Sequence, residues 1–379
     1  MEITTFSFPT TIFFGAGARR ELRKFAKSHN VRQPLLVTDV GLPETEAYRL
    51  MAKEMDAIWT GQWQSFAGIH PNPNEQDIED TWEEYRGHGC DGIVGVGGGS
   101  GIDGAKALRL KVAFPKLPLP EIPLDKLPER LVPFCAIPTT AGTGSEVGRS
   151  TVVTIESLGR KVVFGAPPLM PEMAILDAEL TVGLPPHLTA ATGMDAMTHC
   201  IESFVCPMYH PMCDGIALEA IRMIKEFLPQ AFADGTNLQA RGQMLMAASM
   251  GAVAFQKDLG AAHSLAHPLS TEFGTHHGLA NAIVLSAVIR FNGETDKNLY
   301  NRVANAMGFC EPSDATTTVA EAIDALNQQI GITQRLKDIG IPHESLSMLA
   351  DKAFGDGCHL TNPRKCSRDD LLQLYEQAW

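Results

Sequence analysis

The chain has 379 residues, of which 44% are hydrophobic and 20% charged, so it is long enough for two ordinary domains and apolar enough to build a core. Its net charge of −13 disfavours nucleic acids and anionic membranes as partners. No apolar run reaches the roughly 18 residues that span a bilayer, and the first residues lack the basic and apolar regions of a secretion signal. The eight cysteines contain no Cys-x-x-Cys pair and are expected to be reduced thiols, which favours a cytoplasmic location.

The first half of the chain alternates strand and helix patterns. Continuous apolar runs at residues 35–40, 92–96 and 132–137 are predicted to be strands. Because such strands, separated by amphipathic segments, are typical of a parallel sheet covered on both faces, we expect an α/β arrangement. Residues 152–155 and 161–164 are predicted to form a hairpin.

The composition changes near the Gly-Leu-Pro-Pro sequence that ends at residue 186. Long helical patterns follow, for example at residues 215–232 and 239–255. The chain is therefore predicted to contain an α/β dinucleotide-binding domain at residues 1–184 and an all-helical, metal-binding and substrate domain at residues 185–379. The glycine-rich turns lie in the first half and the candidate metal ligands in the second, so we expect the active site in the cleft between the domains.

Two glycine-rich turns follow predicted strands. The first, Gly95-Val-Gly-Gly-Gly-Ser100, nearly fits the G-x-G-x-x-G pattern and precedes a predicted helix, whose N-terminus would favour a pyrophosphate. Such a turn is also common after a buried strand that binds no ligand. The second, at residues 139–146, supplies hydroxyls and backbone donors, and two loops of this kind can form a phosphate and ribose cradle. Asp39 closes another strand, where an acid either accepts hydrogen bonds from a ribose or caps a turn.

A carboxylate and several imidazoles form the most informative pattern. Asp195 and His199 lie four residues apart in a predicted helix, which places them on one face, and His263, His267 and His277 follow in one short stretch. One carboxylate with several imidazoles and no thiolate suits Fe(II), Zn(II), Mn(II) or Co(II). A single histidine is more often a hydrogen-bonded core or surface residue, but clusters of histidine and carboxylate are rare without a metal.

Four signatures in order resemble those of the iron-containing (group III) alcohol dehydrogenases. They occupy residues 97–106, 137–147, 193–202 and 263–278, and the resemblance extends from residue 8 to residue 364. It implies an N-terminal dinucleotide-binding domain with a parallel sheet and an all-helical C-terminal domain, as in the dehydroquinate synthase-like architecture.

The resemblance also implies roles for particular residues. Asp195, His199, His263 and His277 match the metal ligands of the family, with Fe(II) as the expected ion and Zn(II) as an alternative occupant. His267 would lie beside the substrate without binding the metal. An acid at the position of Asp39 is associated with NAD rather than NADP. The predicted cofactor-binding residues are Asp39, Asn72, Gly98, Gly99, Ser100, Asp103, Thr139, Thr140, Thr143 and Lys161.

The predicted reaction is hydride transfer between a small primary alcohol and NAD, with a metal polarising the alcohol oxygen. His267, one helical turn from His263, is predicted to relay the released proton. Residues 254–257 and 358–363 resemble 4-hydroxybutyrate dehydrogenases more than lactaldehyde reductases. A cation should then face the substrate carboxylate, and Arg149 and Lys257 are the candidates.

Two other functions compete with this prediction. A non-redox lyase of the dehydroquinate synthase type would require cationic side chains around the metal, and residues 258–277 contain no Lys or Arg. A non-catalytic NAD-binding assembly protein would not require the complete set of metal ligands. The expected partner is a small-molecule alcohol or aldehyde, and a homo-oligomer, dimeric or larger, is expected from the resemblance.

Overall fold

The chain divides into two compact units by its internal contacts. The α/β unit comprises Phe8–Leu184, and the helical unit comprises Pro185–Trp379 together with the N-terminal residues. The computed structural model describes residues 5–8, 10–294, 296 and 298–379.

The N-terminal segment differs from the prediction that residues 1–184 form the first domain. Residues 5–7 belong to the helical unit, where the backbone N–H of Ser7 donates a hydrogen bond to Gln256 Oε1 at 3.2 Å. The Thr5 carbonyl oxygen lies 3.2 Å from Nε2 of His210. Residues 1–4 of the predicted domain lie outside the described residues.

The α/β unit is built on a parallel sheet of six strands in the order β1-β8-β5-β4-β2-β3, and β6 and β7 form a separate antiparallel hairpin. The strands are β1 (Thr11–Phe14), β2 (Pro34–Asp39), β3 (Gln64–Ile69), β4 (Gly92–Gly97), β5 (Phe134–Pro138), β6 (Ser150–Ile155), β7 (Arg160–Gly165) and β8 (Met173–Leu176). The helices are α1 (Leu22–Ser28), α2 (Glu46–Trp59), α3 (Glu75–Gly87) and α4 (Gly99–Ala113).

Apolar clusters cover both faces of the sheet, because successive residues of a strand point to opposite sides. In β4, Ile93 belongs to one cluster and Val94 to the other. In β5, Phe134 belongs to the first of these clusters and Cys135 to the second. The predicted parallel sheet covered on both faces is therefore confirmed, and β2, β4 and β5 agree with the predicted strands to within two residues.

The helical unit has only helices as regular structure within the residues that the structure describes. The long helical patterns predicted for residues 215–232 and 239–255 correspond to the second and third of these helices. None of the described helices is both long enough and apolar enough to cross a membrane. The helices are α5 (Pro186–Val205), α6 (Pro211–Ala233), α7 (Leu238–Ala254), α8 (Ala261–Phe273), α9 (His277–Gly293), α10 (Asn301–Ala306), α11 (Ala315–Gln329), α12 (Leu346–Phe354) and α13 (Arg368–Ala378).

Helix α5 lies at the centre of the helical unit, in contact with α6, α7 and α9. It begins with Pro186 at its first position, where the missing N–H of proline costs no hydrogen bond. Its residues are buried almost continuously from Thr189 to Val205, as expected for a core helix. The polar side chains in its middle, Asp195 and His199, are thereby held in the interior.

Candidate metal centre and cofactor-binding turns

Three helices bring the four predicted metal ligands together. Asp195 and His199 lie one turn apart on α5, His263 lies on α8, and His277 is the first residue of α9. The Nε2 atoms of His277, His263 and His199 lie 3.3, 3.9 and 4.0 Å from Oδ1 of Asp195. Metal–ligand bonds to N and O are roughly 2.0–2.2 Å long, so the donor atoms of Asp195, His263 and His277, which lie within 4.8 Å of one another, can share one ion. Nε2 of His199 faces the same Asp195 oxygen from a greater distance. We call Asp195, His199, His263 and His277 the four-ligand cluster.

The protonation states of Asp195 and His277 favour a cation. Burial raises the pKa of Asp195, but His199, His277, His263 and a hydrogen bond from Asn281 lower it to about 2. Burial also lowers the pKa of His277 well below its usual value, and the neighbouring imidazoles add to this effect while Asp195 opposes it. A charged carboxylate and a neutral imidazole are the forms that bind metal ions. The donor set therefore fits a divalent metal.

Glu202, which the sequence analysis did not single out, orients one of the ligands. It lies on α5, and its Oε2 is 2.5 Å from Nδ1 of His263, while Oε1 accepts a hydrogen bond from the Ala262 N–H at 2.6 Å. Burial lowers the pKa of His263, but the Glu202 carboxylate outweighs that effect and the net shift is upward. With its proton on Nδ1, His263 directs the lone pair of Nε2 towards Asp195. A carboxylate behind a metal-binding histidine typically fixes its orientation and strengthens it as a ligand.

Glu202→Gln is expected to weaken metal binding by about 10- to 100-fold. The amide has nearly the same shape as the carboxylate but carries no charge to hold the Nδ1 proton of His263. Competition with a chelator of known affinity measures the change, and metal analysis of the purified protein supports it. The matched control is Glu219→Gln, an exposed acid on α6, which should bind metal as the unmodified protein does. An unchanged affinity in Glu202→Gln would contradict this role.

Asn281 is a second contact that the sequence analysis missed. It lies one turn after His277 on α9 and is fully buried. Its Nδ2 donates to Oδ1 of Asp195 at 2.8 Å and lies 3.4 and 3.3 Å from Nε2 of His263 and His277. An amide N–H can approach these ring nitrogens closely when they carry lone pairs. Asn281 therefore holds Asp195 in place and contacts the donor atoms of Asp195, His263 and His277 at once.

His267 lies beside the four-ligand cluster, one turn after His263 on α8, and its predicted place beside the substrate stays a prediction. Its ring stacks on that of His277, with centroids 5.4 Å apart and an interplanar angle of 14°. Its Nδ1 lies 2.8 Å from Oδ2 of Asp356, whose Oδ1 accepts a hydrogen bond from Oγ of Ser264 at 3.0 Å. The side chain is 39% exposed. Its ring is thus held in orientation while remaining open to solvent.

Lys257, one of the two candidate cations for a substrate carboxylate, is paired inside the protein instead. Lys257 is 2% exposed, and its Nζ donates to Oδ1 of Asp214 at 2.6 Å and to the Phe204 carbonyl oxygen at 3.1 Å. Its charge is thereby paired inside the helical unit. Arg149, the other candidate, is exposed in the α/β unit.

The predicted cofactor residues of the α/β unit cluster where its parallel strands end. The backbone N–H of Asn72 donates to Oγ of Ser100 at 3.3 Å, and Nζ of Lys161 donates to Oδ1 of Asn72 at 2.8 Å. The Thr139 N–H donates to the Gly97 carbonyl oxygen at 2.9 Å. These contacts join the segments that follow β3, β4 and β5 with the hairpin, at the edge where open α/β sheets bind ligands.

Close packing of the two turns depends on glycine. A Cβ atom on Gly99 would lie 2.7 Å from Cγ2 of Thr143. Gly97 has a φ of 149°, which side chains disfavour. Helix α4 begins at Gly99 without a side-chain cap, so its first N–H groups are available to a phosphate. The cradle therefore fits the pyrophosphate of a dinucleotide.

The two predicted acids of this region differ in their surroundings. Asp39 ends β2 and accepts a hydrogen bond from the Gly41 N–H at 3.1 Å, and burial raises its pKa. Asp103 accepts hydrogen bonds from Ser145 Oγ at 2.5 Å and from the Val152 N–H at 3.0 Å. Asp103 thus ties α4 to the second turn and to the hairpin, and a direct contact with the cofactor stays a prediction.

Comparison with known proteins shows that this chain is similar to iron-containing alcohol dehydrogenases. A family model described as iron-containing alcohol dehydrogenase matches residues 9–178, and the C-terminal model of the Fe-containing alcohol dehydrogenase family matches residues 189–379. A 4-hydroxybutyrate dehydrogenase from Cupriavidus necator is 36% identical and is aligned over 97% of this chain and 98% of that protein. A lactaldehyde reductase from Escherichia coli (strain K12) is 33% identical over the same shares of the two chains.

Solved structures agree with these sequence relatives. A 1,3-propanediol oxidoreductase superposes with a TM-score of 0.95 at 33% identity, and all of both chains is covered. A sulfoacetaldehyde reductase from Bifidobacterium kashiwanohense, solved in complex with NAD+, superposes with a TM-score of 0.90 at 28% identity over 100% of this chain and 99% of that one. The fold and the chemistry named for these relatives agree with the two sites described above.

Proposed function

This chain belongs to the iron-containing alcohol dehydrogenase family, and from that premise we propose that it interconverts a small primary alcohol and its aldehyde with NAD. The convergence of three imidazoles on Oδ1 of Asp195 carries the proposal, because this donor set suits Fe(II) and also accepts Zn(II). The alternative functions lose support, since the named relatives are dehydrogenases and reductases.

The four-ligand cluster would hold the metal, with Glu202 and Asn281 keeping His263 and Asp195 in orientation. When bound, the metal supplies the Lewis acidity that lowers the pKa of an alcohol. The glycine-rich turns would hold the pyrophosphate of NAD through the N–H groups of α4, and Asp39 would accept hydrogen bonds from the ribose. The nicotinamide held in this way would supply the hydride acceptor for the carbinol carbon.

His267 would carry the proton that the alcohol releases. Its Nδ1 faces Asp356 at 2.8 Å, so a proton on Nδ1 is shared with that carboxylate and the lone pair lies on Nε2. Its partial exposure gives the proton a route to solvent. His267 would accept the proton at Nε2, hold it briefly and pass it to water.

Asp39→Ser is expected to raise the ratio of kcat/KM for NADP to that for NAD by at least about tenfold, or roughly 1.4 kcal/mol. The Asp39 carboxylate would repel a 2′-phosphate, and serine removes that charge. Initial rates with both coenzymes at one alcohol concentration measure the ratio. The matched control is Asp80→Ser, an exposed acid on α3, which should leave the ratio unchanged. An unchanged ratio in Asp39→Ser would remove Asp39 from the ribose site.

For the substrate we propose an ω-hydroxy acid such as 4-hydroxybutyrate. The 36% identity to a 4-hydroxybutyrate dehydrogenase supports this class, as does the exposed cation Arg149 directly after the second glycine-rich turn. An exposed guanidinium can bind a carboxylate through two parallel hydrogen bonds. Since Lys257 is paired internally, Arg149 is the better candidate of the two.

The test is NADH oxidation by metal-depleted protein reloaded with Fe(II) or Zn(II), with succinic semialdehyde, lactaldehyde and butyraldehyde as substrates and NADPH as a control. We expect metal-dependent turnover that is fastest with succinic semialdehyde. Arg149→Gln should raise KM for that substrate alone, whereas Arg130→Gln, another exposed cation of the same unit, should not. Faster turnover of the uncharged aldehydes would reject the carboxylate substrate but retain the dehydrogenase. Absence of turnover with every metal and substrate would favour the lyase or the assembly protein.

We also propose that the protein works as a homo-oligomer in the cytoplasm. A cytoplasmic location fits the eight cysteines, all of which are free thiols. The net charge of −13 gives it little affinity for nucleic acids or anionic membranes. Light scattering during size-exclusion chromatography would measure the number of subunits.

A further inference from the structure

A second group of metal-ligating side chains lies next to the four-ligand cluster. It consists of His267 on α8, Asp356 after the end of α12, and Cys358 at the start of a short 3-10 helix, Cys358–Thr361. Each residue presents one ligand atom, and the three atoms lie within 4.8 Å of one another. The proposed dehydrogenase reaction makes no use of Cys358.

The backbone and neighbouring side chains already hold this group in position. Oδ1 of Asp356 accepts hydrogen bonds from Oγ of Ser264 at 3.0 Å and from the Cys358 N–H at 2.9 Å. Oδ2 of the same carboxylate lies 2.8 Å from Nδ1 of His267. A tetrahedral ion with bonds of roughly 2.0 Å would separate these N and O atoms by about 3.3 Å, so a small rotation of the carboxylate would admit it.

The group is both negative and accessible. The Asp356 carboxylate, whose Oδ2 lies 2.8 Å from Nδ1 of His267, supplies negative charge to the group. The same negative surroundings attract a divalent cation, which in turn stabilises the thiolate. The side chains of His267 and Asp356 are 39% and 22% exposed, so an ion can reach them from solvent.

We propose that His267, Asp356 and Cys358 form a second metal site that takes a borderline or soft divalent ion such as Zn(II). One imidazole, one carboxylate and one thiolate, with water as the fourth ligand, is a donor set that zinc accepts. The ion takes the place of the thiol proton, which is released to solvent, and of the proton on Nδ1 of His267, which moves to Nε2. The thiolate distinguishes this site from the four-ligand cluster, whose donors are N and O only.

Occupancy of the second site inhibits the dehydrogenase, and this consequence rests on the proposed function. With the ion on Nδ1 and the proton on Nε2, His267 has no lone pair left to accept a proton from the alcohol. Excess Zn(II) should therefore lower kcat while the metal of the four-ligand cluster stays in place.

Cobalt titration tests the site without any activity measurement. Metal-depleted full-length protein is titrated with Co(II), and the bound metal and the near-ultraviolet thiolate-to-cobalt absorption are recorded. We expect two ions per chain, with the absorption band appearing with only one of them. Saturation at one ion per chain without such a band would overturn the proposal.

Two variants separate the sites. Cys358→Ser should lose the band, weaken binding of the second ion by at least about 100-fold, and keep the first ion, because loss of a ligand exceeds the effect of a supporting contact. Asp195→Asn should lose the ion that gives no thiolate absorption band and keep the ion that gives it. Cys310→Ser, at an exposed thiol elsewhere, is the matched control and should keep both. Persistence of the band in Cys358→Ser would place the thiolate at another cysteine and reject the site.

Steady-state rates then separate the site from its consequence. In the unmodified protein, Zn(II) added beyond one equivalent should lower kcat. Cys358→Ser should need at least about tenfold more Zn(II) for the same loss of kcat. A cobalt–thiolate band together with rates that excess Zn(II) leaves unchanged would keep the second site and reject the proton-relay role of His267.

Discussion

Asp195→Asn is expected to lower kcat/KM by at least about 1,000-fold and to leave the protein with far less than one metal ion per chain in the four-ligand cluster. Asp195 carries the only carboxylate of that cluster, and Oδ1 is the atom on which the three Nε2 atoms converge. The amide keeps the size of the side chain but removes the charge that attracts a cation. Metal analysis after desalting and initial rates with saturating NADH would measure both effects.

The matched control for this variant is His276→Ala. His276 precedes His277, a proposed metal ligand, but is exposed, so its removal should leave the metal content and the rate within about twofold of the unmodified protein. Full metal content together with full activity in Asp195→Asn would show that Oδ1 is not a ligand. Equal losses in the two variants would show that the effect is not specific to Asp195.

Gly278→Ala is expected to lower the free energy of unfolding by about 1–3 kcal/mol and to weaken metal binding as well. A Cβ atom at this position would lie 2.1 Å from the carbonyl oxygen of Ala191 and 3.1 Å from Cβ of Asp195. Backbone atoms of α5 cannot move aside as a flexible side chain can, so the start of α9 has to shift. His277 is the preceding residue and would shift with it, away from Asp195.

The control for this prediction is Gly215→Ala on α6, where nothing lies within 4 Å of the added methyl group. Alanine there should be neutral or stabilise the helix by up to about 1 kcal/mol, because glycine is the poorer helix former. Denaturant unfolding of the metal-depleted proteins measures stability, and chelator competition measures metal affinity. A Gly278→Ala protein as stable as the control would mean that α5 and α9 are not packed as closely as described.

The sequence allowed prediction of those features that depend on local spacing. Asp195 and His199 are four residues apart, so their shared helix face could be read directly. The strands β2, β4 and β5 could likewise be predicted from their continuous apolar runs. Strand β8 has four residues and β3 contains polar and glycine positions, Gln64 and Gly68 among them, so neither carries a strong strand pattern.

Contacts between distant parts of the chain could not be predicted in this way. Glu202 meets His263 across 61 residues and Asp356 meets His267 across 89, and no local pattern connects either pair. The internal pairing of Lys257 could not be predicted for the same reason, because its partner Asp214 lies 43 residues earlier. Asn281 was the exception, since its spacing of four residues from His277 placed it on the ligand face of α9 and could have identified it.

The distribution of the four proposed metal ligands over three helices would couple metal occupancy to the folding equilibrium of the helical unit. An ion that binds only when α5, α8 and α9 are assembled adds about 4 kcal/mol to stability when its free concentration is 1,000 times the dissociation constant. The melting temperature of the protein would then report metal saturation without coenzyme or substrate. In a cell with too little of the metal, this protein would lose conformational stability as well as activity. The metal-free chains would be degraded by proteases first.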